Sequence, residues 1–426
     1  MAVNVFVLGL DECNEETLRA LPDAGNYRFH GLLTIEELQY GDDIDIRALL
    51  EEARRRLDGF DGPVDAVIGY WDFPVTSMVP LLCRRYGLPS APLEAVVKCE
   101  HKYWSRLVQR EAIDEVPRFA LVAPDATARP DGLSYPLWLK PVKSFSSELA
   151  FRVTDDAGFR EALHRINEGA GHLGEPFEFV MSQVRLPPEV AEAGGSACLA
   201  EEEGRGDQVT VEGYVHQGRA RVYGVVDSLR YPGASSFLRY QYPSRLPGET
   251  LDRLADLSRR VVERVGLDAT TFNIEFFADA ETGDVTLLEV NPRHSQSHAR
   301  LFENVDGAPN HECAVRLALG RAPELPHRRG RYAVAAKCFL RHFHDGLVLR
   351  VPTPGEVERV ERDVPGTVVR IVAREGERLS ALHAQDSYSF ELARIFVGAD
   401  DEEQLRDRYQ ACADALDFRI DDTDDR

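Results

Sequence analysis

Two acidic residues, an amide and an arginine lie close together in residues 270–293, and their types and spacing could bind a metal ion and phosphate. The run "TLLEVNPR" ends on Glu289, Asn291 and Arg293, and the earlier run "TFNIEFF" carries Glu275. Glu289 and Asn291 are two residues apart, so a strand would place both side chains on one face. Two carboxylates and an amide oxygen are hard ligands, which Mg²⁺ prefers together with phosphate oxygens of a substrate.

The spacing of these two runs predicts a β-hairpin, because the turn residues "ETGD" separate them. A hairpin would bring Glu275 and Glu289 close to each other. The alternative is a surface hairpin whose glutamates are solvated. Both glutamates lie inside apolar runs, where an exposed carboxylate without a partner fits poorly. The pattern therefore favours a metal–phosphate site.

Lysine is rare in this chain and unevenly distributed. The 50 basic residues include five lysines, and four of the five fall within residues 98–143. Lysine offers a compact ammonium where arginine offers a planar fork. The cluster indicates either a need for ammonium groups at a binding site or a chance grouping of surface charge. The lysines are Lys98, Lys102, Lys140, Lys143 and Lys337.

Composition limits the function classes. A chain of 426 residues predicts two to four domains. There is no run of 18 apolar residues and no basic stretch before an apolar one at the start, so neither a membrane span nor a signal peptide is expected. The seven cysteines are scattered, which favours reduced thiols in the cytoplasm. A net charge of −22 argues against a general nucleic-acid binder.

The elements that must position these residues can be predicted in outline. The first hundred residues alternate strand-like runs ("NVFVLGL", "VDAVIGY") with amphipathic helices, which indicates a small parallel sheet of the doubly wound type. Only Gly9 follows the first strand, so the dinucleotide fingerprint G-x-G-x-x-G is absent. A β-rich region follows, with a hairpin turning at residues 216–218 and a helix ended by Gly266. From about residue 330 short strands dominate.

The stretch of residues 266–293, "GLDATTFNIEFFADAETGDVTLLEVNPR", resembles the metal-binding segment of the ATP-grasp superfamily. That segment has a glycine, a strand with an acid, a turn and then the pattern l-[IL]-E-[VI]-N-P-R. The resemblance implies that Glu275, Glu289 and Asn291 hold Mg²⁺, or alternatively Mn²⁺, on the phosphates of ATP. It implies that Arg293 meets a phosphate or a substrate carboxylate, and that Arg293 and Lys140 are catalytic.

Two lysines match the nucleotide lysines of that superfamily. "EHKYWSRLVQREAIDEVPRF" supplies Lys102, although His101 stands where the superfamily has aspartate, and "YPLWLKP" supplies Lys140. The adenine hinge corresponds to "LAEEEGRGDQ". By this resemblance Glu201 accepts the adenine amino group and Gln208 stands where the ribose-binding acid lies. The backbone that would meet the edge of the ring belongs to Glu202, Glu203 and Gly204.

The phosphate loop departs from the superfamily. The superfamily has glycines after K-P, because glycines let backbone N–H groups approach phosphates. The corresponding "KPVKSFSSELA" has no glycine. Lys143 and the hydroxyls of Ser144, Ser146 and Ser147 could compensate, Ser147 being the serine that matches. A weaker grip on the nucleotide is the alternative.

Several further residues are candidates for the substrate side of the site. Arg230 and Arg239 lie in "SLRYPGASSFLRYQYP", a segment that often contacts substrate in this superfamily. His294 and His298 have H-x-x-x-H spacing, for which a zinc site, an acyl-acceptor pocket and a structural role are all open. Residues 70–72, "YWD", follow the second N-terminal strand, where open α/β sheets bind ligands.

The resemblance covers about residues 98–325 and predicts an α+β or α/β architecture with an ATP-grasp fold. A Rossmann-like βαβ domain (1–97) would precede the core (98–328), and a β-rich domain (329–426) would follow it. Within the core, a lid (about 115–200) would precede a metal-binding and catalytic part (201–328).

The expected function is an ATP-dependent ligase of a small carboxylate and a small amine, which acts through an acyl phosphate and releases ADP and phosphate. Carboxyphosphate chemistry like that of biotin carboxylase, and a non-catalytic nucleotide-binding protein, are the alternatives. A homodimer is open, and no nucleic-acid or membrane partner is expected.

Overall fold

The structure is a computed structural model, which describes residues 2–39, 44–144, 149–382 and 389–422. Its N-terminal part holds a three-stranded parallel sheet in the order β2-β1-β3. Parallel pairing agrees with the βαβ alternation predicted from the sequence. The elements are β1 (Val3–Leu8), α1 (Glu12–Arg19), β2 (Tyr27–Leu33), α2 (Ile35–Gln39), α3 (Ile46–Asp58), β3 (Ala66–Gly69), α4 (Val75–Tyr86) and α5 (Leu93–Glu100).

A second, four-stranded antiparallel sheet has the order β4-β7-β5-β6 and packs against a helix. Its apolar core includes Leu139 from β5 and Phe159 and Ile166 from α7. Lys140 and Glu201 lie on neighbouring strands of this sheet. The elements are α6 (Lys102–Gln109), β4 (Phe119–Val122), β5 (Leu137–Pro141), β6 (Phe151–Val153), α7 (Asp156–Gly169), α8 (Gly171–Met181), α9 (Pro188–Ala193) and β7 (Cys198–Glu202).

An eight-stranded sheet forms the rest of the core, in the order β12-β11-β8-β9-β10-β13-β16-β15. Strand β10 pairs with β13, so this sheet runs across the expected boundary at residues 328–329. The elements are β8 (Asp207–His216), β9 (Arg219–Arg230), β10 (Phe237–Tyr242), α10 (Gly248–Val265), β11 (Thr270–Ala278), β12 (Val285–Asn291), α11 (Ala299–Asp306), α12 (His311–Ala318), β13 (Val334–His342), β14 (Leu347–Arg350), α13 (Pro354–Asp363), β15 (Thr367–Ile371), β16 (Phe390–Ala399), α14 (Glu402–Ala415) and β17 (Arg419–Asp421).

Local sequence signals explain the turns of this sheet. The turn between β8 and β9 has positive φ at Gln217 (53°) and Gly218 (70°), as a tight hairpin with the right twist needs. Helix α10 ends at Gly266, whose φ of 86° is the left-handed value that closes a helix. The predicted hairpin of residues 270–291 is present as β11 and β12. Across the described ranges, no helix combines the length and apolar character needed to cross a membrane.

Candidate active site

The hairpin of β11 and β12 places the predicted metal ligands side by side. In its register Glu275 stands opposite Glu289, and Asn273 stands opposite Asn291. The Nδ2 group of Asn291 donates to Oδ1 of Asn273 at 2.9 Å, so its own amide oxygen remains as the acceptor. Alternate residues such as Ile274 are buried in the core and fix the hairpin. The polar face therefore presents two carboxylate groups and one amide oxygen together.

The electrostatics of this pair fit a cation. Burial, and then the negative charge of Glu289, raise the pKa of Glu275 to about 7. Gln208 donates to Glu275 Oε2 at 2.6 Å, and this hydrogen bond and the charge of Arg293 oppose the shift. Hard oxygen ligands that repel each other are the set that Mg²⁺ suits, with further oxygens from phosphate. Within the described ranges no three His, Cys, Asp or Glu side chains are grouped to hold a metal, so the ligand set depends on Asn291.

Mg²⁺ binding is expected to depend on pH through Glu275. A ligand carboxyl must lose its proton to bind metal, so the affinity should rise as pH passes through about 7. The raised pKa means that the folded state holds this proton, which stabilises the metal-free fold at low pH and is lost as pH rises through 7. Thermal-shift titration with Mg²⁺ and a non-hydrolysable ATP analogue should give about tenfold weaker binding at pH 6 than at pH 8. Equal Mg²⁺ titration midpoints at pH 6 and pH 8 in the native protein would contradict this role. So would a tenfold difference in binding between these pH values that persists in Glu275→Gln.

Lys102 contacts the hairpin of β11 and β12 directly. It is the first residue of α6, and its Nζ donates to Glu289 Oε1 and to the Ser144 carbonyl oxygen, the latter at 2.9 Å. Burial alone would raise the pKa of Glu289, but Lys102 and then Lys140 outweigh burial and hold the pKa below its ordinary value. Both predicted nucleotide lysines therefore act on the same carboxylate.

His101, which stands where the superfamily has aspartate, caps the helix that begins at Lys102. Its Nδ1 accepts the backbone N–H of Trp104 at 3.2 Å, which caps the N-terminus of α6. Its Nε2 lies 3.0 Å from the carbonyl oxygen of Gly194, so Nε2 carries the proton. Burial lowers the pKa of His101 to about 4, which keeps the ring neutral and able to accept at Nδ1. The departure at this position thus preserves the helix start that orients Lys102.

Lys140 is paired with Glu201, which the sequence had assigned to the adenine amino group. Glu201 Oε2 lies 2.6 Å from Lys140 Nζ, and both Glu201 oxygens also accept from Arg106. Burial alone would raise the pKa of Glu201, but Arg106 and Lys140 outweigh it and bring the pKa to about 2. The Glu201 carboxylate is therefore committed to two internal cations.

The segment after Glu201 is held rigidly by its own side chains. Glu202 accepts from Arg118 Nε and from the backbone N–H of Ser134, both at 2.9 Å. The two oxygens of Glu203 accept from Arg152 at 2.7 and 2.9 Å. At Gly204, a Cβ atom would lie 2.4 Å from the ring of Phe277, so the position requires glycine. The glutamate side chains thus fix the peptide groups that the resemblance assigns to adenine.

Arg293 is oriented by the N-terminal part of the chain. Its Nε and Nη2 donate to Asp72 Oδ1 at 2.8 and 2.5 Å. Asp72 follows β3, at the carboxyl edge of the parallel sheet, where α/β folds bind ligands. Two parts of the chain more than 200 residues apart therefore meet at Arg293. Of the stretch "YWD", the aspartate is the residue with a direct link to the site.

Lys143 does not lie where the sequence placed it. Its side chain is 4% exposed, is ion-paired with Glu100, and has Nζ 4.5 and 4.9 Å from the ring centroids of Phe73 and Phe177. A buried ammonium with these partners packs inside the protein and does not face a phosphate. Ser144 is buried and contributes its carbonyl oxygen to Lys102. Ser146 and Ser147 lie outside the described residues.

The two histidines after Arg293 point into the protein. His294 is 0% exposed, its Nδ1 lies 3.1 Å from Thr271 Oγ1, and its ring packs on His311. His298 Nδ1 lies 2.8 Å from Glu212 Oε1, and both residues are buried. Neither the open acyl-acceptor pocket nor the zinc site suggested by the sequence fits these positions. Their roles are to pack and to hydrogen-bond.

The two predicted substrate arginines differ in their surroundings. Arg230 is exposed and its Nη2 donates to Gln208 Oε1 at 3.1 Å, and Gln208 in turn donates to Glu275, one of the predicted metal ligands. Arg239 is buried, and its Nε donates to Gln241 at 3.0 Å. Arg230 is therefore next to the site, whereas Arg239 serves the interior of the large sheet.

Sequence reasoning missed Arg106. It stands four residues after Lys102, one turn along the same helix, and it joins Glu201 to the carbonyl oxygens of Leu287 and Leu288. The K-x-x-x-R spacing was a signal that both side chains share one helix face. Its partners on other elements could not be read from that spacing.

Comparison with known proteins identifies a domain in the middle of the chain. Residues 133–299 match the family model described as an ATP-grasp domain. The chain carries an ATP-grasp domain. The matched region begins just before Lys140 and ends after Arg293, so it contains Lys140 and the hairpin of β11 and β12. The carbamoyl phosphate synthase large chain of Xylella fastidiosa (strain Temecula1 / ATCC 700964) is 38% identical over 79 residues, which are 17% of this chain and 7% of that relative.

Solved structures with an ATP-grasp fold resemble the whole chain. An L-amino acid ligase from Bacillus licheniformis has a TM-score of 0.71 at 16% identity and covers 98% of both chains. The biotin carboxylase domain of 2-oxoglutarate carboxylase from Hydrogenobacter thermophilus, solved with MgADP and bicarbonate, has a TM-score of 0.66 at 16% identity. That match covers 99% of this chain and 91% of the other. At such identities these likenesses show the ATP-grasp fold, which is the fold predicted from the sequence.

Proposed function

We propose that the chain is an ATP-dependent ligase that joins a carboxylate to an amine through an acyl phosphate and releases ADP and phosphate. The observation that supports this most is the contact between Lys102 and Glu289. It puts a cation suited to phosphate beside a carboxylate suited to metal, and Arg293 follows on the same segment. Phosphoryl transfer depends on positioning and charge more than on covalent help from the protein.

Each part of the site has a role in this proposal. Lys102 and Lys140 neutralise phosphate oxygens, and the backbone of residues 202–204 meets the adenine edge. Glu275, Glu289 and Asn291 would hold Mg²⁺, which when bound would supply positive charge to offset that of the nucleotide phosphates. The amide oxygen of Gln208 accepts a hydrogen bond from Arg230. Because an amide oxygen has two lone pairs, it can also accept from a ribose hydroxyl.

Arg293 is the residue proposed to act on the acyl group. Its guanidinium is a planar fork that matches carboxylate and phosphate oxygens. Asp72 fixes the orientation of that fork by accepting from Nε and Nη2. The remaining nitrogen, Nη1, donates to the His294 carbonyl oxygen at 3.3 Å. Arg293 would hold the oxygens of the acyl phosphate and stabilise the charge that develops when the amine attacks.

A paired screen tests this function. The twenty amino acids are combined two at a time with ATP and Mg²⁺, and ADP, phosphate and the mass of the condensed product are measured. The proposal expects ADP, phosphate and one amide product in equal amounts for at least one pair. Phosphate release that depends on added bicarbonate instead of an amino acid would establish carboxyphosphate chemistry. Binding of ATP with no turnover across the screen and with bicarbonate would favour a non-catalytic protein.

A further inference from the structure

Arg106 is buried at the junction of three elements that carry the candidate site. It lies on α6 and is 2% exposed. All five of its N–H groups donate to protein acceptors, so its position is fixed in every direction. The bonds are Nε to Glu201 Oε1 at 2.7 Å, Nη2 to Glu201 Oε2 at 3.1 Å and to Leu288 O at 2.6 Å, and Nη1 to Gln109 Oε1 at 2.6 Å and to Leu287 O at 3.1 Å.

These bonds join the four-stranded sheet to the hairpin of β11 and β12. Glu201 belongs to β7 of the four-stranded sheet and pairs with Lys140. The two carbonyl acceptors belong to β12 and directly precede Glu289. Helix α6 itself begins at Lys102. One side chain thus sets the spacing between both nucleotide lysines and a metal ligand.

The charges of this cluster need Arg106 as well. Burial lowers the pKa of Lys140; the Glu201 carboxylate opposes that shift, and the charges of Arg106 and Lys102 add to it. A carboxylate paired with Lys140 alone would also cancel its charge. Arg106 binds both oxygens of Glu201, while Lys140 lies against one of them. Two cations and one anion leave a charge of +1 beside the cleft.

We propose that Arg106 is a positioning residue of the nucleotide site: it binds both oxygens of Glu201, so that the cluster of Arg106, Glu201 and Lys140 keeps a net positive charge and Lys140 stays available to the phosphates of ATP. This rests on the proposed function only in that the site binds ATP. Arg106 itself touches no nucleotide. Its effect passes through Glu201 to Lys140, and this relation can be separated from a purely structural role.

The test measures binding of a non-hydrolysable ATP analogue with Mg²⁺ by calorimetry, with thermal melting to confirm folding. Arg106→Met should weaken binding about tenfold or more, because Glu201 then neutralises Lys140. Adding Glu201→Gln to the same chain should restore binding to within about threefold of the native value, because Lys140 is then released.

A structural role alone predicts the opposite pattern. Arg106→Met would weaken binding, and adding Glu201→Gln would make the loss larger, which would overturn the proposal. Should Arg106→Met fail to fold, Arg106→Lys decides, since it keeps the charge with fewer donors. The proposal expects binding within about threefold of native despite a lower melting temperature, and a tenfold loss contradicts it. A native protein that binds no analogue would overturn both the proposed function and this proposal, whereas native binding with the structural pattern would overturn this proposal alone.

Discussion

Glu289→Gln should reduce ADP formation roughly a hundred- to a thousandfold while the protein stays folded. The substitution keeps the shape of the side chain and an oxygen that can accept from Lys102, but it removes one of two carboxylate charges. Because a metal ion supplies several kcal/mol of charge stabilisation in phosphoryl transfer, a lost ligand charge acts on turnover more than on packing. The measurement is the rate of ADP release at saturating ATP, together with the melting temperature.

Glu281→Gln is the matched control for this variant. Glu281 lies in the exposed turn of the same hairpin, so it tests whether the loss of any acidic group nearby is enough. The control should turn over within twofold of the native rate, since an exposed charge is screened. Near-normal turnover of Glu289→Gln would show that the hairpin does not bind the catalytic metal.

Arg293→Lys should lower kcat roughly a hundred- to a thousandfold while the Michaelis constant for ATP changes less than threefold. A lysine keeps the positive charge but cannot keep two hydrogen bonds to Asp72 and also present a planar donor pair to an acyl phosphate. The loss should therefore fall on the chemical step, after the nucleotide has bound. Steady-state kinetics with the amino-acid pair found by screening would measure it.

Arg253→Lys serves as the control for Arg293→Lys. Arg253 is an exposed arginine on α10 that pairs with Glu115, so the same exchange occurs there on the surface. It should leave kcat and the Michaelis constant unchanged within twofold. If Arg293→Lys raised the Michaelis constant for ATP and left kcat unchanged, Arg293 would be a nucleotide ligand and not an acyl-group residue.

The hairpin of β11 and β12 could be predicted because its information is local. Apolar alternation, a turn and the acids at fixed positions lie within 24 residues. The turn sets the register of β11 with β12 as far as Phe276, and a bulge between Glu275 and Phe276, which the turn does not predict, brings Glu275 opposite Glu289. The same holds for the helix that ends at Gly266 and the hairpin that turns at Gly218. In each case one short stretch contains both the residues that form the element and the residues that end it.

The partners of buried charges could not be predicted from the sequence. Lys143 was expected at a phosphate because of its neighbours in the chain, but Phe73 and Phe177 come from distant elements and enclose it. Glu201 was assigned to adenine by the resemblance. Its pairing with Arg106 spans 95 residues, so the sequence did not reveal that this carboxylate already has a partner. Burial decides such cases, since a charge removed from water must find an opposite charge wherever the fold provides one.

Transfer of oxygen-18 would test the proposed reaction most directly. Amino acids labelled with oxygen-18 in their carboxyl groups are incubated with the protein, ATP and Mg²⁺, and the released phosphate is analysed by mass spectrometry. An acyl phosphate forms by a bond between a carboxylate oxygen and the γ-phosphorus, and attack by the amine leaves that oxygen on phosphate. The proposed ligase therefore predicts one labelled oxygen in each phosphate released. Phosphate without label, formed alongside ADP, would contradict activation of an amino-acid carboxylate.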